Sequence, residues 1–295
     1  MKTKIALMGL LGILTMQSCT ETLIDCEGSD DHVKLTLKLA SIEQMPFTEV
    51  VNCMTKGVAS PVGICSKIHY AVYSYKDSVL TKKQENQDLG SEGFGSAIFN
   101  LEEGNYKIVV IAHNGDGNPT MTDPTRISFN NRNSLKVTDT FLYSADVDIT
   151  RETHVLELEL KRAVAMFQLK LDDSSLPEDV SLLRFEYTGG SSTIDGTTGL
   201  GCVNSKQSET FECLPGVMEY GIYTFVRRDS DALKIKVSAM DSLGVIIKER
   251  EFQNVPITCN YITRYTGKLF ANENLASAFS VTMDGEWAGT RDFTF

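Results

Sequence analysis

Strict alternation of apolar and polar residues constrains this chain more than any other feature. Across residues 33–40, Val33, Leu35, Leu37 and Leu39 fall on one face and Lys34, Thr36 and Lys38 on the other. Successive side chains of a strand point to opposite faces, so this period predicts a half-buried β-strand. Related strand patterns recur at 67–75, 96–101, 106–114, 155–160, 165–171, 181–187, 220–226, 232–240, 245–252 and 278–283. No stretch has the spacing of a long amphipathic helix, and 176–183 has room for one short turn. Asp241-Ser242-Leu243-Gly244 reads as a hairpin turn. Many short strands with polar turns between them predict an all-β chain of β-sandwiches. Lys161 and Arg162 end one strand, and a new apolar strand follows Ala163. The expected organisation is therefore a leader over 1–18, a sandwich over 19–161 and a second over 162–295, each sandwich of ordinary domain size.

The leader carries Lys2 and Lys4 ahead of a short apolar run, Ile5 to Leu14. A membrane-spanning helix needs about 20 apolar residues, so this run is too short and has the layout of a secretory signal peptide. Ser18 followed by Cys19 resembles a bacterial lipobox. That resemblance implies removal of residues 1–18 and acylation of Cys19; the alternative is an ordinary signal peptide with an incidental cysteine. A buried methylene contributes about 0.8 kcal/mol, so two or more acyl chains would hold the protein stably on a membrane it does not cross. Nothing after the leader has 18 consecutive apolar residues.

Charge and motifs exclude several function classes. The chain has 28 basic and 39 acidic residues, a net charge of −11, which becomes −13 once Lys2 and Lys4 leave with the leader. No basic patch stands out, which argues against nucleic acid as a partner. Cys26, Cys53, Cys65, Cys202, Cys213 and Cys259 form no CxxC pair, against a structural zinc site. Cys53 with Cys65, and Cys202 with Cys213, are the local disulfide candidates, with free buried thiols as the alternative. His32, His69, His113 and His154 lack ligand spacing, and there is neither a GxSxG elbow nor a phosphate loop. In 113–123, Asn114, Asp116 and Asn118 alternate as calcium ligands do, but Pro119 and Thr125 stand where a calcium loop needs Gly and Glu. No catalytic residue, metal, cofactor or small-molecule substrate is expected. Trp287, the single tryptophan, is either a core plug or a docking residue.

Three stretches in order resemble one family: residues 99–114 with their turn, glycine and tyrosine; 139–171, with Arg162 leading into a new strand; and 255–270, with Asn260, Thr263 and Gly267. They are similar to the fimbrillin and fimbrial-anchor (FimB-like minor subunit) superfamily of the type V pili of Bacteroidales. The resemblance implies two tandem transthyretin-like Greek-key sandwiches and assembly by strand exchange with other fimbrial subunits. In that family, polymerising subunits lose an N-terminal strand to a protease that cuts after arginine. Here the first arginine is Arg126, so strand 33–39 has no arginine before or beside it. The implied role is a non-enzymatic, lipid-anchored minor subunit at the outer-membrane cell surface, holding the fibre or limiting its length. Glu21 and Asp25 resemble the acidic surface-export signals of such bacteria. The tail 278–295, with Phe293 and Phe295 as knobs, is the candidate donated or closing strand. The competing readings are a tip or stalk subunit, and a surface glycan-binding lipoprotein.

Overall fold

The computed structural model describes residues 32–42, 63–76, 78–129, 136–228, 230–270 and 280–284. Its strands, in chain order, are β1 His32–Ile42, β2 Lys67–Lys76, β3 Val79–Asp88, β4 Ser96–Glu102, β5 Gly104–His113, β6 Ile127–Ser128, β7 Thr140–Ile149, β8 Val155–Arg162 and β9 Val164–Leu171. They continue as β10 Leu182–Thr188, β11 Thr193–Asp195, β12 Leu200–Gly201, β13 Gln207–Glu212, β14 Glu219–Phe225, β15 Ser230–Met240, β16 Ile246–Thr258, β17 Ile262–Gly267 and β18 Ser280–Asp284. The chain is all-β, with no helix among the described residues.

The first half is one sheet folded back on itself, in the order β3-β2-β5-β7-β8-β1-β4. The fold line is the short β7–β8 contact, where Phe141 and Leu142 pair with Arg162 and Lys161. Leu35, Leu37, Phe99 and Leu158 from one leaf meet Ile68, Val72, Ile108 and Val110 from the other in a single core. In the second half, the sheets β13-β10-β15-β16 and β14-β9-β17-β18 share a core with Phe167, Leu169, Phe185, Val237, Phe252 and Ile257. A third cluster joins Tyr73, Val109, Ile111 and Ile127 to Val164, Phe225 and Ile262. This cluster covers the outer face of β2 and β5, so Ile108 to His113 are all buried. Burial on both faces explains why that segment reads as a continuous apolar run rather than an alternation.

Where the sequence shows little alternation, the structure adds strands. β3 carries Lys82-Lys83-Gln84-Glu85-Asn86 and is mostly exposed, yet ten successive residues pair with β2. β13 is likewise polar and held by β10 alone. Both are edge strands, where charge blunts pairing with other chains. Pro256 sits within β16 opposite Ala232; β16 is also an edge, which is where a strand tolerates a residue that cannot donate. The turn expected at 241–244 is present, with Gly244 at φ +83°, and at 177–180 the amide of Val180 closes a turn onto Pro177 O.

A polar pair fixes the passage from β8 to β9. Arg162 donates through Nε to Asp139 Oδ1 at 2.7 Å and through Nη2 to Oδ2 at 2.9 Å. Its side chain is only 7% exposed and stacks 4.9 Å from the centre of the Phe141 ring. A bidentate, stacked guanidinium is a geometry lysine cannot copy. Nearby, Gly190 lies against Thr224, and a Cβ there would sit 2.0 Å from Thr224 Oγ1. Thr224 is fully enclosed and accepts from the amide of Ser191 at 3.0 Å. Gly190→Ala therefore has to displace the enclosed Thr224 side chain, and we expect a loss of about 3 kcal/mol in urea unfolding.

Candidate functional site: the first strand and its groove

β1 lies inside its leaf, hydrogen-bonded along both edges. It runs antiparallel to β4, from His32 opposite Glu102 to Lys38 opposite Ser96. On its other side it runs parallel to β8, from Thr36 opposite Val155 to Ile42 opposite Leu160. The Thr36 amide donates to His154 O at 2.9 Å and the Leu39 amide to Gly95 O at 2.8 Å. Val33, Leu35, Leu37, Leu39 and Ile42 are buried in the first core, while Lys34 and Lys38 face outward. The alternation that marks this strand in the sequence thus becomes a strand whose every second side chain fills a slot between β4 and β8. Without β1, that slot would be an apolar trough with two unpaired backbone edges, a template for another strand.

Residues 280–284 also pair within the chain. β18 pairs antiparallel with β17, from Ile262 opposite Asp284 to Thr266 opposite Ser280. Residues 280–284 thereby complete the sheet of their own second half. Cys19, Trp287, Phe293 and Phe295 lie outside the described residues, as do Cys26 and Cys53.

The structure assembles one polar centre that sequence spacing concealed. His69 and His113 are 44 residues apart, yet their rings stack at 5.0 Å with Nε2 to Nε2 at 2.9 Å. The paired strands β2 and β5 bring them together, and both are fully buried. His69 Nδ1 faces Asn86 Oδ1 at 2.8 Å, and His113 Nδ1 accepts the Gly115 amide at 2.9 Å. The Gly115 donor fixes the chain of tautomers: His113 donates from Nε2 to His69 Nε2, and His69 donates from Nδ1 to Asn86. Burial lowers the pKa of His69 to about 4, and burial together with the neighbouring His69 lowers that of His113 to about 3. The pair is neutral and fully satisfied, a core element with no open face for a substrate. Pairing of positions across two strands is the one signal that could have found it.

Four of the cysteines, Cys65, Cys202, Cys213 and Cys259, lie among the described residues. Cys202 and Cys213 are separate thiols. Cys202 stands beside Thr193 O, whereas Cys213 follows the far end of β13, and the six residues of that strand span roughly 20 Å. Burial raises the pKa of Cys65 and of Cys259 to about 11, which disfavours the thiolate at neutral pH. Asn114 donates to Ile64 O at 2.7 Å, tying the loop to the segment before β2. Among the described residues, no group of three or more His, Cys, Asp or Glu could hold a metal ion.

Among solved structures, the fold is similar to a fimbrial assembly protein from Parabacteroides distasonis, with a TM-score of 0.44 and 13% identity over 90% of this chain and 100% of that one. It is also similar to the fimbrial anchor protein Mfa2 from Porphyromonas gingivalis, with a TM-score of 0.46 and 12% identity over 86% of this chain and 98% of that one. No curated protein matches the sequence. One family model spans residues 28–294, from just ahead of β1 to the last residue but one. The chain belongs to that family, described as a family of unknown function, DUF6562.

Proposed function

We propose that this protein is a non-enzymatic, lipid-anchored minor subunit of a type V fimbria, holding the fibre at the outer membrane of the cell. The observation that carries the reading is β1 itself: the groove a polymerising subunit would have to vacate is filled by the chain's own strand, with five apolar side chains buried and both edges paired. The sequence supports it from two sides. No arginine precedes Arg126, so an arginine-specific protease has no site at which to release β1. The lipobox-like leader puts Cys19 thirteen residues ahead of β1 on the same chain, so a retained first strand means a retained lipid. Such a subunit accepts no donor strand, which suits an end of the fibre and not its middle. The tail, with Trp287, Phe293 and Phe295, is the segment we assign to contact with the neighbouring subunit.

Mass spectrometry of the subunit recovered from assembled fibres tests the reading. The expected form begins at an acylated Cys19 and keeps 32–42; a fibre-bound form starting beyond residue 42 would reject the anchor in favour of a tip or stalk subunit. Deletion of 286–295 tests the tail. Fibres should detach from cells, and undiminished retention would remove the tail from the contact.

A further inference from the structure

Exposed apolar side chains concentrate at one end of the second sandwich. Of eleven large apolar residues exposed in the described part of the chain, six lie there: Leu214 and Val217 between β13 and β14, Leu243 and Val245 in the β15–β16 turn, and Ile246 and Ile247 at the start of β16. Pairing places both groups at the same end of one sheet. Glu212, Leu182, Met240 and Ile246 form one row across the sheet, with Ser181 bonded to Met240 O and the Cys213 amide to Ser181 O just beyond it. Three strand spacings separate the outer members of the row, roughly 14 Å. Exposed apolar side chains gathered at one end of a sheet in this way point to an interaction site.

The tip is held rigid. Asp241 Oδ1 accepts the amides of Leu243 at 2.9 Å and Val245 at 2.8 Å, and the Asp241 and Gly244 amides close the turn at 3.0 and 3.1 Å. Leu243, 88% exposed, is presented on a fixed turn and buries nothing that folding requires. A knob ordered before binding loses little entropy on docking. The adjoining edge is unsuited to strand addition. Met240 pairs with Ile246 and Ala239 with Lys248, so the register skips Ile247 and kinks the strand.

Charge selects the partner. Glu178, Asp179 and Glu212 are exposed around the tip, and with Asp241 they take part in no ion pair among the described residues. The nearby Lys170 is already committed to Glu219 at 2.9 Å. With Lys248 beside Ile247 as the other basic residue at this end, the four carboxylates leave an acidic excess that repels an anionic lipid surface and a second copy of the same tip, and attracts cationic groups. We propose that this end of the second sandwich docks a protein segment that is apolar at its centre and flanked by lysine or arginine. The proposal is independent of the anchoring role and does not involve β1.

The test places a photo-cross-linking amino acid at position 243 of the full chain in its native cells, with a control at the exposed Ile98. The expected product is an adduct of another protein, specific to position 243, whose cross-linked peptide is apolar and flanked by basic residues. Its yield should fall roughly tenfold in Glu178→Lys/Asp179→Lys/Glu212→Lys and in Val245→Ser/Ile246→Ser. The melting temperatures of both variants should match the parent, since the substituted positions are exposed. No adduct, an adduct to a second copy, an adduct to an acidic or wholly polar segment, or a yield unaffected by charge reversal would overturn the proposal. So would sedimentation of the purified unacylated chain with phosphatidylglycerol-containing vesicles in a manner that Leu243→Ser abolishes. None of these outcomes bears on whether β1 and Cys19 persist in the fibre, so failure here and failure of the anchoring reading are distinguishable.

Discussion

A chain lacking His32–Ile42 is expected not to fold. The deletion removes Val33, Leu35, Leu37, Leu39 and Ile42 from the first core, and a fully buried aliphatic side chain contributes about 1.5–3 kcal/mol. Five of them amount to roughly 10 kcal/mol, comparable with the whole stability of an ordinary domain, about 5–15 kcal/mol. The deletion also strips partners from facing backbone groups of both β4 and β8. Circular dichroism and urea unfolding of the full chain would show the loss directly. A synthetic 32–42 peptide added in excess should restore the β signal, because the vacated slot specifies depth and register through alternate side chains. A milder form is Leu37→Ala, with an expected cost of about 3 kcal/mol. If the truncated chain unfolds at the same urea concentration as the intact one, the self-filled groove is not what holds this half together, and the argument for the anchor loses its physical basis.

Acid should destabilise the protein well above the pH at which its carboxylates protonate. In the folded state His69 and His113 titrate near pH 4 and 3, against about 6.5 in an unfolded chain. Below pH 6.5 the unfolded chain therefore binds protons that the folded one refuses, and stability falls as pH falls, down to the folded pKa values. The cause is visible in the hydrogen bonds. All four ring nitrogens are committed, so a proton on His69 Nε2 would face the His113 Nε2–H, and one on His113 Nδ1 would face the Gly115 amide. Lys67, which is ion-paired to Asp88, adds a further unfavourable charge to both rings. Between pH 7 and pH 5 the expected loss is about 3–4 kcal/mol. The other two histidines, His32 and His154, are exposed. Replacing both buried rings, His69→Leu/His113→Leu, should lower stability at pH 7 and flatten the dependence between pH 5 and 7. An unchanged slope in that variant would assign the acid sensitivity elsewhere.

The sequence by itself determined the strand content wherever one face is buried. β1, β8 and β10 bury alternate residues in the pattern read from their apolar positions, because a strand's side-chain period is 2 whatever it packs against. The Asp-Ser-Leu-Gly turn was legible for a similar reason, since its aspartate and glycine act within five residues. β3 and β13 were not legible, because an exposed edge strand needs no apolar face and is defined by its neighbour's open backbone. The absence of an arginine before residue 126, which supports the proposed role, is a property of sequence alone. Tertiary structure decided what that absence acts on. It placed β1 between β4 and β8, parallel to one and antiparallel to the other, brought His69 against His113, and set the 213–218 loop and the 241–245 turn at the same end of one sheet. Each of these depends on strand order in a sheet, which joins residues far apart in the chain through backbone hydrogen bonds that carry no side-chain identity.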